Sequence, residues 1–185
     1  MPLNFDLQKI KDTYNCNIYF ETGLWNVDLE DTSLCKAMRM NFSRLYSVEI
    51  NKEFIDICKN KFKESINNER LKLFEGNSKN LQNYLSEITV AENDRIVFFL
   101  DSHGHGYGCP LIEELTAIKN MNFVNKPIII LDDVRIIRDC VWSDNRYDGS
   151  NFETILKNKI LEIDPNYKFS YLDGVIKDDC LLCSF

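Results

Sequence analysis

Arg95-Ile96-Val97-Phe98-Phe99-Leu100 is an almost wholly apolar run that stops at Asp101-Ser102-His103. A second run, Pro127-Ile128-Ile129-Ile130-Leu131, stops at Asp132-Asp133. Continuous apolar runs of this length are strands covered on both faces, as in the parallel sheets of α/β proteins. Working outward, shorter strand-like runs alternate with helical stretches. Asn17–Thr22 ends at Gly23, Arg44–Glu49 is followed by Asn51, and Arg70–Glu75 ends at Gly76. Helices are expected over Thr32–Met40, after a capping Asn51, over Lys79–Ser86, after Pro110, and over about Asn151–Ile163. Tyr167–Leu172 and Cys180–Phe185 read as two last strands joined through Asp173-Gly174. Five strand–helix alternations predict an α/β fold with a mostly parallel sheet and an antiparallel final pair, in one domain spanning 1–185.

The 185 residues carry a net charge of -7, with 44% hydrophobic and 12% aromatic residues. Such a chain can bury a core without staples and is too apolar to be disordered. Lys and Arg are scattered, which disfavours a nucleic-acid backbone as main partner. No run reaches the roughly 20 apolar residues of a membrane span, and no secretory signal is visible, so no membrane partner is expected. Seven cysteines at irregular spacing read as reduced core residues of a cytoplasmic protein. The only CxxC, Cys180 to Cys183, falls in a strand, where its two thiols face opposite ways.

Ligands of open α/β sheets bind outside the carboxyl ends of the strands. The residues at those five ends are therefore the candidates. They are Glu21-Thr22-Gly23, Glu49-Ile50-Asn51, Gly76-Asn77-Ser78, Asp101-Ser102-His103 and Asp132-Asp133. Gly23 permits close backbone approach. Glu49, 26 residues after Gly23, suits a ribose diol. Asn77 and Ser78 suit a base edge. Asp101, Asp132 and Asp133 are hard oxygen ligands for a divalent cation. His103 and His105 leave open a transition-metal reading. GxGxxG, GxxxxGK[ST] and GxSxG are all absent, which counts against dinucleotide, P-loop and hydrolase readings.

This series, with Cys109-Pro110-Leu111-Ile112-Glu113-Glu114-Leu115, resembles class I S-adenosylmethionine (SAM)-dependent methyltransferases, and more closely their macrocin-type and catechol-type O-methyltransferase branch. The motifs cover about Asn17 to Asp133. The resemblance implies a Rossmann-like, doubly wound, three-layer αβα fold with strand order 3-2-1-4-5-7-6. It implies a cofactor set of Glu21, Thr22, Gly23, Glu49, Ile50, Asn77, Ser78 and Asp101. It implies Mg2+ or another divalent cation on Asp101, Asp132 and Asp133. His103 stands where the macrocin-type branch has its general base, an Asp. The implied reaction is O-methylation of a hydroxyl on a small molecule or sugar, with a non-catalytic SAM-binding module as the alternative. A homo-oligomer is compatible with the sequence. The chain departs from the family in the loop Gly23–Thr32, which has one glycine and a bulky Trp25. The segment before Asn17 is too short for the usual helical cap. A lid must then come from Gly104–Cys109 and Asp139–Ser150, the latter with Trp142, Arg146 and Tyr147.

Overall fold

A computed structural model describes residues 4–29, 31–102, 108–139 and 149–185. Its seven strands are β1 Ile18–Thr22, β2 Arg44–Glu49, β3 Leu71–Glu75, β4 Ile96–Leu100, β5 Ile128–Leu131, β6 Lys168–Leu172 and β7 Cys180–Ser184. They form one sheet in the order β3-β2-β1-β4-β5-β7-β6. The first five strands pair in parallel, while β7 runs antiparallel to both β5 and β6. The apolar run of β4 is central, between β1 and β5, and all five of its residues are buried.

Helices cover both faces. On one side α1 (Leu7–Thr13), α2 (Ser33–Met38) and α3 (Lys52–Lys61) pack Leu7, Ile10, Leu34, Ile55 and Cys58 onto Tyr19, Leu45, Val97 and Phe99. The short α4 (Lys63–Asn67) sets Ile66 against this layer. On the other side α5 (Leu81–Ser86), α6 (Leu111–Asn120), α7 (Val134–Asp139) and α8 (Gly149–Leu161) bring Leu85, Leu115, Ile137 and Leu156 onto Phe20, Phe98 and Ile129. Alternate residues of β1 and β4 thus feed opposite cores, as the two-residue strand period demands. Phe20 alone packs within 5.3 Å of Phe98 and 5.7 Å of Tyr46, ring to ring.

The α/β class, strand order and three layers agree with expectation. Four elements differ. Helix α1 precedes β1, α4 follows α3 directly, a 3-10 turn over Ser78–Asn80 leads into α5, and α7 stands between β5 and α8. The last strand is internal to the sheet, because β6 covers it. Cys180 faces the α1–α3 core and Cys183 the opposite one, so the CxxC pair is split as its spacing predicts. The six described cysteines are all free and buried. No helix among the described residues is long and apolar enough to cross a membrane.

Candidate functional site

The loops leaving β1 and β4 touch. The Asp101 amide donates to the Thr22 carbonyl at 3.0 Å, and the Gly23 amide donates to the Val48 carbonyl at 2.9 Å. Gly23 has φ +87°, and a Cβ there would lie 2.1 Å from the Asp101 carbonyl oxygen. The glycine is thus required by the crossing of two loops of this chain, a reason the sequence alone did not show. Thr22 is fully buried, and its Oγ1 has no hydrogen-bond partner among the described residues. A buried polar atom left so costs about 1–3 kcal/mol unless a ligand or water reaches it.

Glu21 lies beneath this rim, wholly buried. Tyr19 Oη and Ser33 Oγ donate to its Oε2 at 2.8 and 2.6 Å, and Ser47 Oγ donates to Oε1 at 2.8 Å. One carboxyl group therefore knits β1, β2 and the start of α2 together. Burial pushes its pKa up to about 7, against the pull of the three hydroxyl donors.

Glu49 ends β2 and is 8% exposed. Its Oε2 accepts from the Trp25 amide at 3.1 Å and its Oε1 from the Asn51 amide at 2.7 Å. A carboxylate has about four acceptor positions, so this anchored group keeps capacity for a diol. Trp25 takes the left-handed conformation, φ +59°. Its ring packs 5.3 Å from Phe54, and both Trp25 and Ile50 expose about half their surface beside Glu49. The end of β3 is tied in when the Gly76 amide donates to the Glu49 carbonyl at 2.8 Å. Asn77 Oδ1 caps the 3-10 turn by accepting from the Lys79 amide at 2.9 Å, and Ser78 is buried beside it.

Past β4 and β5 the site is acidic. Burial is the main force raising the Asp101 carboxyl well above the usual range, and the charges of Asp132, Asp133 and Glu21 add to it. Asp132 Oδ1 accepts from the Asp133 amide at 2.8 Å and from Cys180 Sγ at 2.9 Å. Carboxylate oxygens of Asp132, Asp133 and Asp179 all lie within 4.8 Å of one another. Of the expected metal set, the structure thus groups Asp132 and Asp133, and the third member is Asp179 in place of Asp101. Asp179 immediately precedes β7, and the β5–β7 pairing carries it to the Asp132 loop. Ser102 Oγ donates to Oε1 of Glu114, a fully buried residue of α6, at 2.6 Å. That contact anchors the start of the loop that leads to His103. His103 itself, His105 and the lid candidates Trp142, Arg146 and Tyr147 lie outside the described residues.

Sequence reasoning missed Asp179, Arg135, Glu114 and the Ser33–Ser47–Tyr19 cage. Asp179 sits in no spaced motif, and its place at the site depends on the β5–β7 pairing. Glu114 appeared only within the Cys109–Leu115 run.

No protein-family model matches the sequence, and no curated protein matches it. Solved structures do. An SAH-bound methyltransferase of Podospora anserina superposes with TM-score 0.56 at 16% identity, over 95% of this chain and 74% of that one. An O-methyltransferase of Bacillus cereus in complex with SAH gives TM-score 0.59 at 16% identity, over 96% and 77%. An O-methyltransferase of Streptomyces achromogenes in complex with SAM gives 0.54 at 12%, over 94% and 75%. With its strand order, layers and reversed β7, the chain has the Rossmann-like fold of class I SAM-dependent methyltransferases.

Proposed function

We propose that this protein is a SAM-dependent methyltransferase acting on a hydroxyl of a small molecule or sugar. The observation that carries the reading is the joining of the strand ends at one rim. Gly23 abuts Asp101, Trp25 bonds Glu49, and Gly76 bonds the Glu49 carbonyl. Those contacts bring Glu49, Asn77, Thr22 and Asp101 to one edge of a sheet whose structural relatives hold SAM or SAH.

The residues fit an adenosyl group. Glu49 would take the ribose hydroxyls, Ile50 and Asn77 with Ser78 would flank the base, and Thr22 Oγ1 supplies a buried acceptor and donor near Gly23. Glu21 supports this floor through its hydroxyl cage, and Asp101 lines the far side. Bound SAM supplies an electrophilic sulfonium methyl. The chain's part is positioning, which brings an acceptor oxygen in line, and proton removal. His103 is the proposed base; an unperturbed imidazole titrates near 6.5, which suits the task. Asp101 stands two residues before it and is poised to hold the acceptor hydroxyl.

The divalent cation implied by the resemblance meets a poorer fit. Among its three donors, Asp133 is paired with the Arg135 guanidinium and Asp132 with an amide and a thiol. No step is assigned to it.

Titration calorimetry with SAH tests the reading. Binding in the micromolar range is expected, weakened at least about tenfold by Glu49→Ala, the scale of one lost charged hydrogen bond. No heat and no thermal shift with either SAH or SAM overturns it. Binding without methyl transfer to any hydroxyl acceptor would favour the non-catalytic module.

A further inference from the structure

Arg135 stands in the first turn of α7 and reaches back over the carboxyl end of β5. Its Nη2 lies 2.7 Å from Asp133 Oδ1. Its Nη1 is bonded to Asp179 Oδ2, and its backbone amide donates to Asp179 Oδ1 at 3.3 Å. Both carboxylates are buried, with side chains 5% and 0% exposed. The adjoining Val134 amide also donates to the Asp179 carbonyl at 2.7 Å, which fastens α7 to the start of β7.

A guanidinium presents several donors in a fixed plane and keeps its charge at every accessible pH. Here that fork is shared between the two carboxylates that flank Asp132, one positive charge set against both. A hard divalent ion would need the same oxygens, turned toward one centre and stripped of other partners. It would have to break both ion pairs and share the pocket with a displaced cation. Separating buried ion pairs leaves uncompensated charge, which makes such an exchange costly.

We propose that Arg135 is the built-in counter-cation of this acidic mouth, so that the site works without a divalent metal ion. The inference rests on the methyltransferase reading for its meaning, but Arg135's occupancy can be tested separately.

Mn2+ is titrated into EDTA-treated wild type, Arg135→Lys and Arg135→Gln, with free Mn2+ followed by electron paramagnetic resonance. SAH calorimetry is run on the same samples. The wild type and Arg135→Lys should show no saturable uptake below millimolar Mn2+, and EDTA should leave the melting temperature unchanged. Arg135→Gln should take up Mn2+ at least about tenfold more tightly, a gain that loss of a purely structural clamp would not produce. Saturation of wild type at micromolar Mn2+, abolished by Asp132→Asn, overturns the proposal. So does an Arg135→Gln protein that binds SAH as wild type does yet gains no Mn2+. If Arg135→Gln does not fold, the wild-type and Arg135→Lys titrations decide. Absence of SAH binding in every sample would remove the methyltransferase reading, and the Mn2+ result would still rule on Arg135.

Discussion

At Gly23 two demands coincide: a left-handed backbone and the Asp101 carbonyl oxygen where a Cβ would stand. Replacement by alanine adds the left-handed penalty to an overpacking penalty, together about 2–5 kcal/mol. Urea unfolding of Gly23→Ala should show an unfolding free energy reduced by that amount, seen as a lower midpoint, and an unchanged midpoint would mean the two loops part easily. The glycine was legible in the sequence, since Glu21-Thr22-Gly23 closes a strand. Its partner was not, because the contact depends on β1 and β4 being neighbours although β2 and β3 lie between them in the chain. Glu49 and Asp101 were legible for the same local reason, as carboxylates at strand ends. Arg135 and Asp179 were invisible, since their pairing joins α7 to the approach of β7 and neither sits in a spaced motif.

Among the elements, α3 has its start written plainly. Asn51 Oδ1 accepts from the Glu53 amide at 2.9 Å while the Asn51 amide holds Glu49 Oε1 at 2.7 Å. Asn51→Ala removes the first bond and keeps the second. It should cost about 1 kcal/mol of stability, read as a lower urea midpoint at unchanged slope, with SAH affinity nearly intact. A large loss of affinity would show that the cap, and not the amide, positions Glu49. Strands were read closely: the Arg44–Glu49 run is β2 from end to end. Short helices were not. Helix α7 begins right after Asp133, whose φ is +54°, and the side chain that accepts from its first turn, at the Arg135 amide, is Asp179 from the distant approach to β7. Helix α4 follows α3 with Phe62 alone between them and makes no side-chain cap bond. Such pieces are held by packing against the sheet, and packing leaves no local signature.

For the whole molecule, the buried carboxyls set how stability follows pH. Glu21 holds its proton to about pH 7 when folded, against an ordinary value of 4.5. An unfolded chain gives that proton up earlier, so this group's favourable contribution is complete below about pH 4.5 and fades as pH rises to about 7. Asp101, raised in the same sense, adds to the slope. The carboxyls of Asp94 and Glu153 are lowered, and their opposite contribution falls below that window. Wild-type stability should therefore decline from about pH 4.5 to about pH 8, and Glu21→Gln should lose less by on the order of 3 kcal/mol. Urea titrations at both ends check this, and a rising wild-type curve contradicts it. The reversed β7 has a further effect, on how the chain reaches this state. Ile129, Ile130 and Leu131 pair with Cys183, Leu182 and Leu181, which are made only after α7, α8 and β6. Until that late hairpin docks, the flank of an all-aliphatic strand is uncovered, and such flanks recruit other chains. Self-association during refolding should thus begin at β5, and low protein concentration should favour recovery of the folded chain.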